Sequence, residues 1–244
     1  MTNEIQGVQF LDLTFPSAAA NLACDEALLD ACDDGAAGGV LRFWEPRDCF
    51  VVAGFSNRVA HEVNLAACRQ AGVGVFRRCS GGGAVLQGPG CLNYSLVLRI
   101  DADPPLSTIP AANRHIMERH RDALSALLGR AVQVQGITDL TLGGLKFSGN
   151  AQRRKRRALL FHGTFLLRFD LALMERFLTM PSRQPDYRAG RPHARFLTNL
   201  DVPASAIQGA LRACWSAHAP LPLTPDCRQL VAQKYSRDEW NLRL

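Results

Sequence analysis

A paired arginine followed by a run of glycines is the most distinctive stretch of this sequence: Arg77-Arg78-Cys79-Ser80-Gly81-Gly82-Gly83-Ala84-Val85. It lies between two apolar runs, residues 73–76 and 92–100, which predict strands. Glycines let the backbone approach a ligand closely, their N–H groups can form an anion-binding nest, and an adjacent arginine adds a fixed charge. We therefore predict a site for a phosphate, an adenylate or a carboxylate, with a tight turn between two strands as the alternative.

This glycine loop, residues 80–84, matches neither of the common nucleotide-binding loops. No Lys-Ser or Lys-Thr pair follows the glycines as in a P-loop, and no spaced G-x-G-x-x-G opens a helix. A nucleotide bound here would therefore lie on a sheet of another kind.

Length and composition limit the class of protein that this chain can be. The chain has 244 residues, 47% of them apolar, which predicts one domain over residues 1–244 with a sizeable core. It contains no apolar run near the roughly 18 residues of a membrane span and no signal-peptide pattern at its start. Eight scattered cysteines without a C-x-x-C pair predict reduced thiols and a cytoplasmic protein that does not bind membranes.

The pattern of apolar residues predicts the fold class. Residues 18–30 and 113–128 have helical spacing, and residues 158–169 form an apolar, strand-like run. Strands and helices follow one another without regular βαβ alternation. This order favours an α+β fold with a mixed, mostly antiparallel sheet and flanking helices.

Lysine usage points to a second candidate residue. The formal charge is +6, and of the 28 basic residues only Lys146, Lys155 and Lys234 are lysines. Lys146 lies in an apolar, glycine-rich segment, residues 143–149, rather than on a charged face. Since lysine is a compact point charge, we predict that Lys146 and the glycine loop act on the same phosphate or carboxyl group. A solvated turn lysine is the alternative.

His162 and Asp139 are weaker candidates near Lys146. His162 lies on the apolar run that follows, and it could reach the same end of the sheet or be a hydrogen-bonded core histidine. Asp139 could hold Mg²⁺ together with substrate phosphates, which needs only one or two carboxylates, or it could cap a turn. No H-E-x-x-H motif or Cys/His cluster predicts another metal site.

Three further features each have two interpretations. Cys79 and Cys91 flank the glycine loop and could be nucleophiles with a lowered thiol pKa, although buried structural cysteines are more common. The basic run at residues 153–157 could bind phosphate or an acidic partner, or be a solvated loop. No aromatic residues interleave with it, so nucleic acid is not predicted as a partner.

Taken together, these stretches resemble the lipoate–protein ligase A family of the biotin/lipoate ligase superfamily. The resemblance runs in order along most of the chain. Its most specific motifs are R-R-x-S-G-G-G at residues 77–83, K-x-S-G-x-A at residues 146–151 and H-G-T at residues 162–164. Weaker matches are the segments at residues 21–29, 41–46, 62–64, 93–95, 197–200 and 240–241.

The resemblance implies a biotin/lipoate ligase-like catalytic domain. It also implies an enzyme that activates lipoate or octanoate with Mg²⁺-ATP to an acyl-adenylate. The acyl group then passes to a lysine of a lipoyl-domain protein, of the glycine-cleavage H or dehydrogenase E2 kind. Lys146 would hold the acyl carboxyl and the α-phosphate. The other residues implied at the adenylate and lipoyl site are Arg78, Ser80, Gly81, Gly82, Gly83, Ala84, Val85, Asp139, Ser148, Gly149, Ala151, Arg153, His162 and Gly163. Ala84 and Val85 would lie by the adenine, Asp139 by the phosphates or Mg²⁺, Arg153 by the nucleotide and His162 by the lipoyl tunnel.

The chain also departs from the family pattern. Gln87-Gly88 and then Cys91 follow the glycine loop where a His-Asp and an Asn are common, and Thr138 precedes Asp139 where Asn is common. The small C-terminal accessory domain of many ligases is not expected after residues 240–241, so a separate accessory subunit could be needed.

Two other functional classes remain open. Octanoyltransferases of the same fold use a cysteine thioester without ATP, and in the most similar of these the cysteine lies shortly before the lysine motif. Residues 136–139 carry no cysteine, so Cys79 or Cys91 would have to act instead. A non-catalytic binding module is disfavoured because Lys146 is present.

Overall fold

The computed structural model describes residues 7–101, 104–222 and 224–244. The strands are β1 (Gln9–Asp12), β2 (Val40–Trp44), β3 (Phe50–Ala53), β4 (Gly74–Arg77), β5 (Val85–Gln87), β6 (Cys91–Arg99), β7 (Val132–Gln135), β8 (Asp139–Leu142), β9 (Leu145–Arg154) and β10 (Ala158–Leu166). The helices are α1 (Ala18–Asp33), α2 (Val59–Glu62), α3 (Leu65–Ala71), α4 (Ile109–Leu128), α5 (Ala172–Phe177), α6 (His193–Phe196), α7 (Ala204–Cys214), α8 (Arg228–Leu230) and α9 (Asp238–Asn241). Within these ranges no helix combines the length and apolarity needed to cross a bilayer.

The strands form two sheets. A seven-stranded sheet has the order β1-β2-β6-β10-β9-β8-β7, and a three-stranded sheet has the order β4-β3-β5. The β1–β2 and β3–β4 pairs are parallel, and the other pairs are antiparallel. The predicted α+β class with a mixed, mostly antiparallel sheet and flanking helices is confirmed.

The large sheet is covered on both faces, which explains why β6 is buried at every position except its last. Alternate residues of a strand face opposite sides. Leu96 accordingly packs in one core with Ile116 of α4 and Leu211 of α7. Val97 packs in a second core with Leu28 of α1. These two cores hold the large sheet between helices.

The bounds of the elements differ from the sequence prediction in two informative places. Helix α4 begins at Ile109, ahead of residue 113, because the Thr108 side chain caps it and Pro110 occupies its first turn, where no intrahelical N–H donor is needed. The chain leaving the glycine loop forms β5, a strand that was not predicted, before it reaches β6. Both strands that flank the loop pair with β3, so the loop closes one end of the small sheet.

Candidate active site

A cleft of about 870 Å³ lies where the large sheet faces helix α1 and the glycine loop. Cross-strand register places Asn93, Thr164 and Gly149 side by side, and His162 beside Ala151 in the next row. All five residues line the cleft. Since Gly149 and Ala151 have little or no side chain, β9 leaves room for a ligand over this part of the sheet.

Lys146 projects into the cleft from β9. Its Nζ lies 2.8 Å from Oδ1 of Asp139, and about a quarter of its side chain is exposed. The hydroxyl of Tyr187 donates to the other oxygen, Oδ2 of Asp139, at 2.7 Å. The Lys146 side chain lies over Gly149, where an added Cβ would come within 2.8 Å of Nζ. One partly exposed ion pair therefore holds the ammonium at the cleft. An incoming phosphate or carboxylate would compete with Asp139 for it.

The glycine loop is shaped by Arg78. Its buried guanidinium donates to the carbonyl oxygens of Gly81 at 2.6 Å and Gly83 at 3.0 Å, and to that of Val52 at 3.2 Å. Burial lowers the pKa of Arg78 to about 10, so it remains a cation at neutral pH. Gly82, between the two bonded carbonyls, has a φ of +91° that other residues rarely adopt. The hydrogen bonds of the Arg78 guanidinium thus hold the glycine loop in a curved conformation around it.

Arg77, the other arginine of the pair, has a structural role. It is fully buried and donates to the carbonyls of Gly54, Asn57 and Trp240. The side chain of Asn241 in turn accepts the backbone N–H of Arg77. Arg77 therefore ties β4, which leads into the glycine loop, to the helix α9 segment.

A buried polar network lies behind the glycine loop. Ser80 Oγ is 2.5 Å from Nε2 of His162, and His162 Nδ1 is 3.4 Å from Oδ2 of Asp25. Arg42 donates to the other oxygen, Oδ1 of Asp25, at 2.6 Å. Burial alone would raise the pKa of Asp25, but Arg42 and His162 hold it below its ordinary value. Asp25 is therefore a carboxylate although it is buried, and the His162 that the sequence singled out is hydrogen-bonded at both ring nitrogens.

Asn150 connects β9 to the hairpin that carries Asp139. It accepts from the Tyr94 hydroxyl at 2.6 Å and donates to the Thr138 carbonyl at 2.6 Å, and the Thr138 hydroxyl donates back to the Asn150 carbonyl at 2.7 Å. Gly163 lies directly opposite, where an added Cβ would fall 1.8 Å from Asn150 Oδ1. These contacts fix the strand on which Lys146 stands. The K-x-S-G-x-A motif contains Asn150, but nothing in its spacing showed this role.

Part of the polar stretch at residues 182–192, together with the residues just before it, covers the cleft. We call residues 179–188 the cover segment. Ser182 donates to Oε1 of Glu62 at 2.7 Å, while Oε2 of Glu62 accepts the backbone N–H of Ala84 at 2.9 Å. Tyr187 bonds Asp139 at the other end. Glu62 and Asp139 therefore connect the cover segment to the glycine loop and to Lys146.

Most of the predicted site residues meet at this cleft, and three do not line it. The residues that line it are Lys146, Arg78, Gly82, Gly83, Ala84, Val85, Asp139, Ser148, Gly149, Ala151, His162 and Gly163. Ser80 is fully buried behind the cleft, and Gly81 and Arg153 also lie outside its lining. Arg153 stands over the ring of Phe55 at 5.3 Å, on the β9 face that also carries Gly149 and Ala151.

The candidate cysteine nucleophiles are poorly placed for chemistry. Cys79 and Cys91 are buried, and burial raises the pKa of each thiol to about 12. None of the chain's cysteines, all of which lie in described ranges, lines the cleft. A thiolate is the nucleophilic form, so neither thiol is activated where it stands.

The basic run at residues 153–157 is largely bonded within the chain. Arg154 donates to the Leu106 carbonyl at 2.6 Å, Lys155 pairs with Asp30 at 2.6 Å, and Arg157 bonds the Asp33 carbonyl.

The described residues contain no cluster of three or more metal-ligating side chains. Any metal ion at the cleft would therefore depend on ligand oxygens in addition to Asp139.

Comparison with known proteins identifies relatives for this arrangement. Residues 17–205 match the family model described as the lipoyl protein ligase A/B catalytic domain. The octanoyltransferase LipM of Brevibacillus brevis is 26% identical, over 93% of this chain and 95% of its own. The lipoate-protein ligase A subunit 1 of Thermoplasma acidophilum is 28% identical, over 92% of both chains. A crystal structure of lipoate-protein ligase A bound with ATP superposes with a TM-score of 0.83 at 26% identity, covering 97% of this chain and 99% of that one.

Proposed function

This chain belongs to the lipoyl protein ligase A/B catalytic family, and we propose that within it the protein is an ATP-dependent lipoate–protein ligase. The carboxylate of lipoate or octanoate attacks the α-phosphate of ATP, releasing pyrophosphate and forming an acyl-adenylate. The ε-amine of a lysine on a lipoyl-domain protein then attacks the acyl carbon, and AMP leaves.

The observation that carries this proposal is the chemistry of the cleft: it presents the Lys146 ammonium and, among the described residues, no thiol. A transferase that works through a thioester needs a reachable thiolate. A ligase needs cations and backbone donors around a charged mixed anhydride instead. Lys146 and the glycine loop are groups of that kind.

The proposed roles follow from the positions of the side chains. Lys146 leaves Asp139 to bind the acyl carboxyl and the α-phosphate, so the two negative reactants approach each other beside a fixed cation. Gly82, Gly83, Ala84 and Val85 border the nucleotide. The further contacts we propose are Ser148, Gly149, Ala151, His162 and Gly163 for the acyl-adenylate, with Arg78, Ser80 and Gly81 shaping the loop and Arg153 near the nucleotide.

ATP as the activating substrate is supported by the structural relative that was crystallised with it. Mg²⁺ would bind mainly to the ATP phosphates, with Asp139 as the adjacent carboxylate, since such sites need only one or two protein carboxylates. Both oxygens of Asp139 are already bonded, to Lys146 and Tyr187. Metal binding would therefore compete with those two contacts.

The acceptor we propose is a lipoyl-domain protein of the H or E2 kind. The basic balance of the chain, +6, suits an acidic acceptor surface. The Thermoplasma relative is named as subunit 1 of its ligase, which supports a search for a separate accessory subunit.

One observation favours a second candidate function. Relatives named octanoyltransferase LipM align with nearly the whole chain at 26–28% identity. An ATP-independent transfer of an octanoyl or lipoyl group, from an acyl carrier protein or between lipoyl domains, is therefore the competing hypothesis. It requires Cys79 or Cys91 to reach the cleft, against their burial.

The two candidates are separated by mass spectrometry of an apo lipoyl-domain protein. One reaction contains lipoate and Mg²⁺-ATP, and the parallel one contains octanoyl-acyl carrier protein without ATP. We expect ATP-dependent lipoylation that is lost in Lys146→Ala and kept in Lys155→Ala, whose ion pair with Asp30 lies away from the cleft. Octanoylation without ATP, abolished by Cys79→Ala or Cys91→Ala, would overturn the ligase proposal. If neither reaction runs, the accessory subunit is added and both are repeated.

A further inference from the structure

The polar network behind the glycine loop runs from Arg42 to Arg78, and Asp25 accepts hydrogen bonds from both Arg42 and His162. It consists of the contacts Arg42–Asp25, Asp25–His162, His162–Ser80 and Ser80–Arg78. We propose that Asp25 and Arg42 are positioning residues of the acyl-transfer site, which set the tautomer of His162 and, through Ser80 and Arg78, the shape of the glycine loop. This inference rests on the ligase function proposed above and adds residues that act without touching the reacting atoms.

The tautomer follows from the acceptors. A carboxylate can only accept hydrogen bonds, so His162 Nδ1, 3.4 Å from Asp25 Oδ2, carries the ring proton. In the neutral ring Nε2 is then a bare acceptor, and the Ser80 hydroxyl, 2.5 Å away, must donate to it. With its proton used in this way, Ser80 Oγ is left to accept from Nε of Arg78 at 3.1 Å.

The last link reaches the loop that faces the cleft. While Nε of Arg78 is bonded to Ser80, its Nη2 donates to the carbonyls of both Gly81 and Gly83. In a trans peptide the C=O and the next N–H point in opposite directions. The N–H of Gly82 is therefore directed away from Arg78, and Gly82 lines the cleft. The direction of this backbone donor depends on a carboxylate in helix α1.

The Ser-His-Asp arrangement could instead be a nucleophilic triad with Ser80 as the attacking group. Three observations oppose that alternative. Ser80 has no exposed surface, it lies outside the cleft lining, and its lone pair is engaged by the Arg78 guanidinium. A nucleophile has to reach the acyl carbon, and Ser80 does not line the cleft in which that carbon would lie.

Nitrogen-15 NMR of the histidine rings tests the tautomer without any activity measurement. In the wild type we expect the proton of His162 on Nδ1. In Asp25→Asn, Arg42 still requires the amide oxygen, so the amide NH₂ faces His162 and should move the proton to Nε2. Asp30→Asn is the matched control, because Asp30 is on the same helix but pairs with Lys155. An unchanged Nδ1–H tautomer in Asp25→Asn would overturn the proposal.

Kinetics test the consequence for the loop. A misplacement of about 1 Å in a reacting site can cost on the order of 100-fold in rate. We expect Asp25→Asn and Ser80→Ala each to lower kcat by up to about 100-fold with a smaller change in KM for lipoate. The double variant should be no slower than the worse single one, because both break one network. Asp25→Glu, which keeps the carboxylate, should recover part of the rate.

The proposal remains testable if Asp25→Asn does not fold, because Ser80→Ala leaves the buried Arg42–Asp25 pair intact. Normal kcat in a folded Ser80→Ala would overturn it. So would additive losses in the double variant, or an acyl group found covalently on Ser80 by mass spectrometry. The two proposals can fail separately. If the wild type is inactive in every assay, the ligase proposal is contradicted. If His162 of that protein still carries its proton on Nδ1, and Asp25→Asn moves the proton to Nε2, the positioning network is nevertheless supported.

Discussion

Acidification should destabilise this protein through one buried histidine, His120 of helix α4. It is fully buried among aromatic rings, and its Nε2 accepts the indole N–H of Trp215 at 2.8 Å. Its Nδ1 has no hydrogen-bond partner among the described residues. Burial, and secondarily the nearby Arg119, lower the pKa of His120 from 6.5 to about 3. Protonation would also put two donors, Nε2–H and the Trp215 N–H, against each other.

The sign and size of the change in unfolding free energy with pH follow from the difference in proton uptake between the folded and unfolded chain. Between pH 6.5 and about 3 the unfolded chain takes up a proton at His120 and the folded protein does not. The stabilisation is therefore complete above pH 6.5 and is lost as the pH falls, at about 1.36 kcal/mol per pH unit. At about pH 4.5 the free energy of unfolding should be lower by roughly 3 kcal/mol. For a chain of this size that corresponds to roughly 5–10 °C in Tm.

The assay is urea unfolding followed by tryptophan fluorescence at several pH values, for the wild type and His120→Gln. Gln keeps an acceptor for Trp215 and does not titrate. His193, whose pKa burial and Arg188 also lower, is present in both proteins and cancels in the comparison. We expect the difference in unfolding free energy between the two proteins to shrink or reverse below pH 6.5. Equal losses in both proteins between about pH 6.5 and 4.5 would refute the reasoning.

Two further substitutions, each with a control variant, test the framework of the site. Gly163→Ala would place a Cβ 1.8 Å from Asn150 Oδ1. We expect it to lower the free energy of thermal unfolding by about 1–3 kcal/mol and to abolish ligation. Its control is Gly209→Ala, which has open space around it and should instead stabilise helix α7 by roughly 0.5–1 kcal/mol. Arg77→Met leaves several buried carbonyls unpaired and should lower the free energy of unfolding in urea by roughly 2–5 kcal/mol. Its control is Arg47→Met, at an exposed position, which should change that free energy by less than about 0.5 kcal/mol. An equal effect of both arginine variants would contradict the structural role of Arg77.

Local sequence was sufficient for the fold class and the family, and it predicted a candidate site around the glycine loop and Lys146. Periodicity of apolar residues predicted α1 and α4 because the burial of one face leaves a spacing that can be read directly. The glycine loop and Lys146 were predicted as partners because unusual residue types stood in unusual surroundings, and both line one cleft. The family resemblance seen in these motifs is confirmed by the match over residues 17–205.

The sequence could not divide the work between the two arginines. Arg77 and Arg78 are adjacent and chemically identical, so residue chemistry alone did not distinguish them, and only the family resemblance implied Arg78 at the site. Adjacent residues of a strand point to opposite sides, and only packing decides which environment lies on each side. In the structure Arg77 meets the helix α9 segment and Arg78 meets the glycine loop.

The partners of the predicted residues were decided by tertiary structure alone. Asp25 and His162 are 137 positions apart, and Ser80 and His162 are 82 apart. Those separations carry no local signal, because they depend on the register of β6, β9 and β10 and on how α1 packs across them. The amino-acid sequence alone therefore specifies which residue types are available for anion chemistry. Tertiary packing brings particular ones into contact, since hydrogen bonds between distant segments form only after the sheets and helices have packed.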